Sequence, residues 1–183
     1  MEALRTPDER FENLPDFPFE PNYVSVDDSE GGALRMHYID EGSSGGLTIV
    51  LLHGEPTWSF LYRKMVPGLV DAGYRAIVPD QIGFGRSDKP TKQADYSVVR
   101  HVGWVRQFLQ ELDLSCVTFV GQDWGSLIGF TAAMHESERI SAIVAAKYRF
   151  AGFGAYGTHR CGFTAFDRSA GIRTLASIRR LGR

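Results

Sequence analysis

Three short apolar segments, each followed by a loop that begins with or contains glycine, constrain the fold of this 183-residue chain more than any other feature. They are 47–54 (LTIVLLHG), 74–80 (YRAIVPD) and 117–121 (VTFVG). The runs 47–54 and 117–121, which lack a polar residue at every second position, are typical of buried strands, and 74–80 is predicted to be a further strand. The sequence therefore predicts a sheet whose central strands are buried between two layers.

Segments with helical character separate these strands along the chain. They are 58–73, 96–114 and 126–137, and a further strand is expected at 140–146. Two strands, at 23–26 and 33–42, precede this alternation, and the proline-rich start of the chain is expected to be an irregular lead-in on the surface. The order predicts an α/β fold, a mostly parallel sheet with helices on both faces, with any ligand at the carboxyl ends of the strands.

Composition excludes several classes of function. With 43% hydrophobic and 23% charged residues and a net charge of −2, the chain has no excess of positive charge for nucleic acid or an anionic membrane. No apolar run approaches the length of a membrane span, and the start of the chain has no secretion signal. Cys116 and Cys161 are expected to be free thiols, which favours the cytoplasm. No Cys/His spacing indicates a metal site, and we expect no cofactor.

The segment 119–129, FVGQDWGSLIG, joins an apolar strand to a helix through a Gly-x-Asp-x-Gly turn. This is the context of a nucleophile elbow, with Asp123 at the position of the nucleophile. Gly121 and Gly125 would be needed because a Cβ there would collide with the neighbouring strand and helix. The backbone N–H of Trp124, at the start of the helix, could stabilise developing negative charge. An Asp that precedes a helix is also a common N-cap, so this pattern alone leaves both roles open.

A second motif, HGEPTW (53–58), directly follows a predicted buried strand. In hydrolases with an elbow, the loop at this position supplies the other N–H of the oxyanion hole, here from around Glu55. The Glu55 side chain is either a solvated loop residue or part of the pocket. His53 is expected to hold the loop, and Trp58 to pack in the core. The loop 79–90 (PDQIGFGRSDKP) lacks the spacing of a phosphate-binding loop and is predicted to be structural.

Taken in this order, these segments resemble the haloalkane dehalogenases of the α/β-hydrolase superfamily. The resemblance covers residues 1–146 and is carried by LRTPDERFENL, MHYIDEG, HGEPTWSFLYRKM, PDQIGFGRSDKP, DYSVVRHVGWV and GQDWGSLIG. It implies an α/β-hydrolase fold, with Asp123 as the nucleophile and with Trp124 and Glu55 in the halide and oxyanion region. It also implies a small haloalkane and water as substrates and a halide ion as product.

The chemistry of the reaction explains a carboxylate at the elbow. A carboxylate can displace halide from saturated carbon in one step and form an alkyl ester, and it is already ionised at neutral pH. The indole N–H of Trp124 is a donor only, which suits a leaving halide. By resemblance, a second tryptophan from a helical cap completes the halide site, and a late histidine oriented by an acid hydrolyses the ester. An epoxide hydrolase and an inactive fragment of the fold are the alternative interpretations.

Residues 147–183 differ in character from the rest. They carry eight Lys and Arg with Asp167 as the single acidic residue, whereas residues 1–146 carry 12 Lys and Arg against 21 Asp and Glu. We expect this Gly- and Arg-rich tail to be an out-of-frame translation that ends the fold before the cap and the last strands; a genuine basic tail is the alternative. His135 is expected to face solvent and His159 not to act as the base. The exposed strand 140–146 should then make the chain associate.

Overall fold

The computed structural model describes residues 1–146. The predictions for residues 147–183, including His159 and Cys161, lie outside the described residues. The strands are β1 (Ala3–Leu4), β2 (Asn22–Asp27), β3 (Ala33–Glu41), β4 (Thr48–Leu52), β5 (Arg75–Pro79), β6 (Lys89–Pro90), β7 (Val117–Gln122) and β8 (Ile140–Ala146). The α-helices are α1 (Val66–Asp71), α2 (Val98–Glu111) and α3 (Trp124–His135).

Six of the strands form one sheet in the order β2-β3-β5-β4-β7-β8. Strands β5, β4, β7 and β8 run parallel, and β2 and β3 are antiparallel to their neighbours. This arrangement confirms the predicted α/β class and its mostly parallel sheet. Because β5, β4 and β7 are adjacent and parallel, the loops that follow them meet at one edge of the sheet, where α/β proteins bind ligands.

Side chains of the central strands alternate between two apolar clusters. In β4, Val50 and Leu52 belong to one cluster, which includes residues of α2 and α3, while Ile49 and Leu51 belong to the other, which includes residues of the lead-in and of α1. Successive side chains of a strand point to opposite faces, so each cluster covers one face of the sheet. Burial on both faces is the reason that 47–54 reads as a continuous apolar run.

The first twenty residues are more firmly attached than an irregular surface segment. Strand β1 pairs with β6 in a separate two-stranded sheet, 85 or more residues along the chain. The rings of Phe11 and Phe17 are buried against Trp58, with ring centroids 5.3 and 5.1 Å away. Trp58 therefore packs between the lead-in and the loop after β4, as predicted. The sequence did not indicate this attachment because two-residue pairings have no periodic pattern.

The helical stretch predicted over 58–73, interrupted at Pro67 and ended at Gly73, is divided into two helices. The structure has a short 3-10 helix at Ser59–Tyr62, and the α-helix begins only at Val66. Pro67 lies in the first turn of α1, where its missing N–H has no intrahelical partner to lose, and it could not lie in the helix interior. Gly73, with φ +86°, ends this segment as expected, and its N–H donates to the Val70 carbonyl at 2.9 Å.

At the other end of the sheet, β8 pairs with β7 and is the last strand among the described residues. Val144 on this strand is 36% exposed. The expected association through this strand stays a prediction.

Within residues 1–146, the helices are too short or too polar to cross a bilayer.

Candidate active site

Asp123 is the single residue between β7, which ends at Gln122, and α3, which begins at Trp124. Its backbone has φ +55° and ψ −125°. A non-glycine residue rarely adopts positive φ, and this combination is far from the common left-handed region, so the turn is strained. A strand that reverses into a helix through one strained residue is the backbone geometry of a nucleophile elbow.

The glycines around Asp123 are required by close backbone approaches. A Cβ on Gly121 would lie 2.6 Å from the Cα of Ser126 in α3, and one on Gly125 would lie 2.1 Å from the carbonyl oxygen of Leu52 in β4. A Cβ on Gly54 would lie 2.5 Å from the Cβ of Asp123 itself. The first two contacts confirm that these glycines avoid a collision with the neighbouring helix and strand, and the third shows that the loop after β4 contacts the elbow.

The carboxylate of Asp123 does not cap its own helix. No backbone N–H of α3 donates to it, and only the Asp123 carbonyl accepts a hydrogen bond, from the N–H of Ser126 at 2.9 Å. Helix α2 shows the contrast, because the Ser97 side chain there accepts from the N–H of Arg100 at 3.2 Å. The N-cap interpretation of the side chain is therefore wrong. The half-buried carboxylate is left without a hydrogen bond to residues 1–146.

A cavity of about 490 Å³ opens beside the elbow. Its lining includes Gly54, which contacts Asp123, and Trp124, which follows Asp123 in the sequence. The size is within the range of small-molecule sites. Polar lining residues are Glu55, Gln81, Tyr96, Ser97 and His101, and the bulky apolar ones are Phe84, Val98 and Ile128. The structure thus brings Trp124 and Glu55, predicted from separate motifs, to one cavity next to Asp123.

His53 has the structural role expected of it. It is fully buried, its Nε2 accepts the backbone N–H of Gln81 at 3.0 Å, and its Nδ1 lies 2.8 Å from the Gly54 carbonyl oxygen. Since a backbone N–H can only donate, Nδ1 carries the proton and donates to Gly54. Burial lowers the pKa of His53, which keeps the ring neutral and suits this arrangement. The histidine thereby joins the loop after β4 to the loop after β5.

The loop 79–90 is organised around the buried carboxylate of Asp80. This carboxylate is 2.8 Å from the His37 Nδ1 and accepts backbone N–H groups from Ser59 at 2.7 Å and Arg86 at 2.9 Å. Burial by itself raises the pKa of Asp80, but the hydrogen bond to His37, the attraction of His37 and His53 and the Arg86 N–H together outweigh burial, so the pKa is lowered overall. These contacts support the interpretation of 79–90 as a structural loop, and they also reach the segment after HGEPTW.

His101 in α2 is a cavity residue that the sequence analysis did not identify. It is 9% exposed, and its ring packs edge-on to Trp104 at 5.0 Å. Burial lowers its pKa to about 4, and the neighbouring His53 contributes in the same direction. In the sequence, His101 lies at the border of the apolar face formed by Val98, Val102 and Val105. A histidine at such a border is more often a core residue than part of a functional site.

The buried His101 should make stability depend on pH. In the unfolded chain a histidine has a pKa near 6.5, and in the folded chain that of His101 is about 4. The unfolded state therefore binds more protons between these values, and the contribution of His101 falls as pH is lowered through this window, by on the order of 3 kcal/mol in total.

Urea unfolding at several pH values between about 7 and 4 would measure this dependence. We expect His101→Phe to flatten the slope, while His135→Gln, on the exposed end of α3, should leave it as it is. An unchanged slope in His101→Phe would contradict the assignment.

The remaining titratable groups do not form a metal site within the described range. Among residues 1–146, no three His, Cys, Asp or Glu side chains are placed to hold a metal ion.

His135 lies in the last turn of α3 and is exposed, as predicted. A helix of this length places His135 about 16 Å along the axis from Trp124, at 1.5 Å per residue. It is thus remote from the elbow.

Comparisons with known proteins agree with the family resemblance of the sequence. Residues 48–148 match the family model described as the alpha/beta hydrolase fold. A haloalkane dehalogenase from Mycobacterium marinum is 55% identical over 146 residues, which are 80% of this chain and 49% of that protein. Haloalkane dehalogenase 1 from Mycobacterium tuberculosis is 56% identical over the same length. The chain thus spans about half the length of the curated relatives it matches.

Among solved structures, a haloalkane dehalogenase is again more similar to this chain than an epoxide hydrolase is. A haloalkane dehalogenase from Paraglaciecola agarilytica, described as tetrameric, has a TM-score of 0.72 at 49% identity, over 78% of this chain and 48% of its own. Epoxide hydrolase A from Mycobacterium thermoresistibile has a TM-score of 0.58 at 31% identity, over 69% of this chain and 39% of its own. The chain belongs to the α/β-hydrolase family, and within that family residues 1–146 resemble haloalkane dehalogenases more than epoxide hydrolases.

Proposed function

We propose that this chain carries the ester-forming site of a haloalkane dehalogenase, with Asp123 as the nucleophile and small haloalkanes as substrates in the cytoplasm. The observation that carries the proposal is the position of the Asp123 carboxylate, at a strained elbow, free of the capping bond and beside a cavity of about 490 Å³. Similarity to haloalkane dehalogenases supports the reaction class.

In the first step an oxygen of the Asp123 carboxylate attacks the carbon that bears the halogen. The carbon–oxygen bond forms as the carbon–halogen bond breaks, and the halide leaves with the bonding electron pair. Carboxylates are ionised at neutral pH, so this step needs no base. The three surrounding glycines allow the strand, the helix and the loop after β4 to pack closely around the elbow, and this close packing holds Asp123 in one orientation for the attack.

Trp124 is proposed to stabilise the departing halide through its indole N–H. The side chain lines the cavity and is 43% exposed, and its indole N–H donates to no residue in 1–146. Trp104 behaves differently, because its indole N–H donates to the Asp27 carbonyl at 3.2 Å in the interior. An indole N–H without an acceptor in residues 1–146, on a side chain that lines a cavity, is suited to bind an anion. The positive end of α3, which begins at Trp124, adds to this stabilisation.

Glu55 is proposed to shape the oxyanion and halide region rather than to contact halide with its carboxylate. It is exposed in the first turn of the loop after β4 and lines the cavity. Two like charges would repel each other, so the favourable contact is through its backbone N–H or through water. The contact between Gly54 and Asp123 places this backbone beside the elbow.

Hydrolysis of the ester requires a base that activates water, and residues 1–146 hold no histidine placed for it. His37 and His53 are engaged in buried hydrogen bonds, and His135 is exposed far along α3. His101 has a pKa of about 4 and is a weak base. Without a positioned base we expect hydrolysis to be slower by on the order of 10²–10⁴. We therefore propose that, with the groups of residues 1–146 alone, the ester on Asp123 is long-lived.

The proposal is tested by exposing the chain to 1-bromobutane and measuring its intact mass. We expect one butyl group per chain, located on Asp123 by peptide mapping, and one bromide released per chain. Sustained bromide release would contradict the long-lived ester while leaving its formation intact. Labelling by 1,2-epoxybutane in place of 1-bromobutane would favour the epoxide hydrolase interpretation, and no adduct with either reagent would overturn the function of Asp123.

A further inference from the structure

We propose that the imidazole of His101 forms a hydrogen-bonding subsite in the cavity and favours haloalkanes that carry a hydroxyl group, that is, haloalcohols. The inference rests on the proposed function of Asp123, because it concerns the substrate that reaches the same carboxylate. It assigns a specificity-determining role to His101, which lies in the segment DYSVVRHVGWV and has no role predicted from the sequence.

The first observation is that His101 is a buried histidine without a hydrogen bond. Its imidazole contacts Tyr96 and Trp104 through ring packing only, and it donates to and accepts from no residue in 1–146. The other two buried histidines, His37 and His53, are both hydrogen-bonded. Neither ring nitrogen of His101 is among the fully buried polar atoms that lack a partner, so water in the cavity reaches the imidazole. An apolar ligand displaces this water without replacing its hydrogen bond, whereas a ligand with a hydroxyl group can replace it.

The second observation is where this imidazole lies. His101 lines the cavity that Gly54 and Trp124 share with the elbow, and Ser97, one helical turn earlier on α2, lines it too. The Ser97 Oγ accepts the N–H of Arg100 at 3.2 Å, which leaves its proton free to donate. Two side chains with unused hydrogen-bonding capacity therefore face the same space, one turn apart on a rigid helix.

The chemistry of these groups selects a neutral hydroxyl. Because burial keeps His101 uncharged at neutral pH, it offers one N–H donor and one acceptor nitrogen. A hydroxyl group has one O–H donor and two acceptor lone pairs. It can therefore donate to the unprotonated nitrogen of His101 or accept from its N–H. A carboxylate on the substrate is disfavoured, because Glu55 lines the same cavity and, among residues 1–146, no Lys or Arg does. Phe84, Val98 and Ile128 provide apolar wall for the carbon chain.

The bound hydroxyl could belong to the substrate or to an ordered water, and a matched pair of reagents distinguishes them. 3-Bromo-1-propanol and 1-bromobutane have the same number of non-hydrogen atoms and differ in a terminal hydroxyl against a methyl. The rate of adduct formation on Asp123 is measured for each by intact mass, and the ratio of the two rates is compared among variants, so that the intrinsic reactivity of the reagents cancels.

We expect His101→Phe to lower the alcohol-to-alkane rate ratio by about 5- to 10-fold, the effect of one net hydrogen bond. Phenylalanine keeps a ring against Tyr96 and Trp104 while it removes both nitrogens. His101→Gln should restore most of the ratio. Val99→Ala is the control, because Val99 lies on the same helix and is 80% exposed. Ser97 is left intact, since loss of its hydroxyl would uncap α2.

An unchanged ratio in His101→Phe, with 1-bromobutane still forming its adduct, would overturn the subsite while the function of Asp123 stands. That is also the result if water alone occupies the position. If neither reagent forms an adduct, the function of Asp123 fails and the subsite is judged by binding. The side-chain ¹H–¹³C NMR signal of His101 should then shift with 3-bromo-1-propanol and not with 1-bromobutane, and the absence of an alcohol-specific shift would overturn it.

Discussion

Asp123→Asn should abolish alkylation of this chain by 1-bromobutane. The amide has nearly the same shape as the carboxylate, so the elbow and its φ of +55° can persist, but the amide oxygen carries no formal charge and is a poor nucleophile. We expect the rate of adduct formation at the elbow to fall by on the order of 10³ or more. The measurement is the time course of the intact mass at a fixed concentration of reagent.

A second carboxylate provides the control for this experiment. Asp71 lies at the exposed end of α1, outside the cavity, and Asp71→Asn should label at the rate of the unmodified chain. If Asp123→Asn still gains a butyl group at a similar rate, another side chain is being alkylated. The assignment of the nucleophile would then be wrong, whatever the similarity to known dehalogenases.

Among the glycines of residues 1–146, Gly125 has one of the closest backbone approaches, so Gly125→Ala should strongly destabilise the fold. The new Cβ would lie 2.1 Å from the Leu52 carbonyl oxygen and 2.5 Å from that of His53, and both are backbone atoms that cannot rotate away. To relieve the collision, α3 must separate from β4. We expect the free energy of unfolding to fall by about 3 kcal/mol or more, at the upper end of the costs of overpacking.

Gly103→Ala is the matched control, with the same chemical change in a helix. A Cβ on Gly103, in the middle of α2, meets no atom within 4 Å. Alanine there should stabilise the chain by about 0.5–1 kcal/mol, because glycine lowers helix stability by that amount. Urea unfolding of both variants gives the comparison. If the two variants unfold at similar urea concentrations, the elbow tolerates a side chain at position 125. The predicted collision between α3 and β4 would then be wrong.

Local patterns in the sequence were sufficient for the parts of the site that depend on nearby residues. The run 117–121, the Gly-x-Asp-x-Gly turn and the following helix are contiguous, so the elbow was predicted with Gly121 and Gly125 in their observed roles. The Gly-x-Asp-x-Gly pattern leaves the capping role of Asp123 open, because the direction of its side chain depends on backbone angles that the pattern does not define. The structure decides it with ψ of −125°.

Contacts between distant segments were beyond the sequence. Asp80 is hydrogen-bonded to His37, 43 residues earlier, and to Ser59, 21 residues earlier, and no periodic pattern indicates either partner. His101 was overlooked for a related reason. Its position in α2 is that of a core residue, and only the fold shows that this part of the helix borders the cavity.

The contact between Gly54 and the elbow has a consequence for redesign of the cavity. Because the Cβ of Asp123 lies where a side chain on Gly54 would begin, the loop after β4 and the loop after β7 form one interlocked unit and cannot be diversified independently. A library that alters substrate range should keep this unit fixed and vary the apolar wall instead. Phe84, Val98 and Ile128 come from three different segments of the chain, which gives such a library a broad choice of cavity shapes without moving the carboxylate.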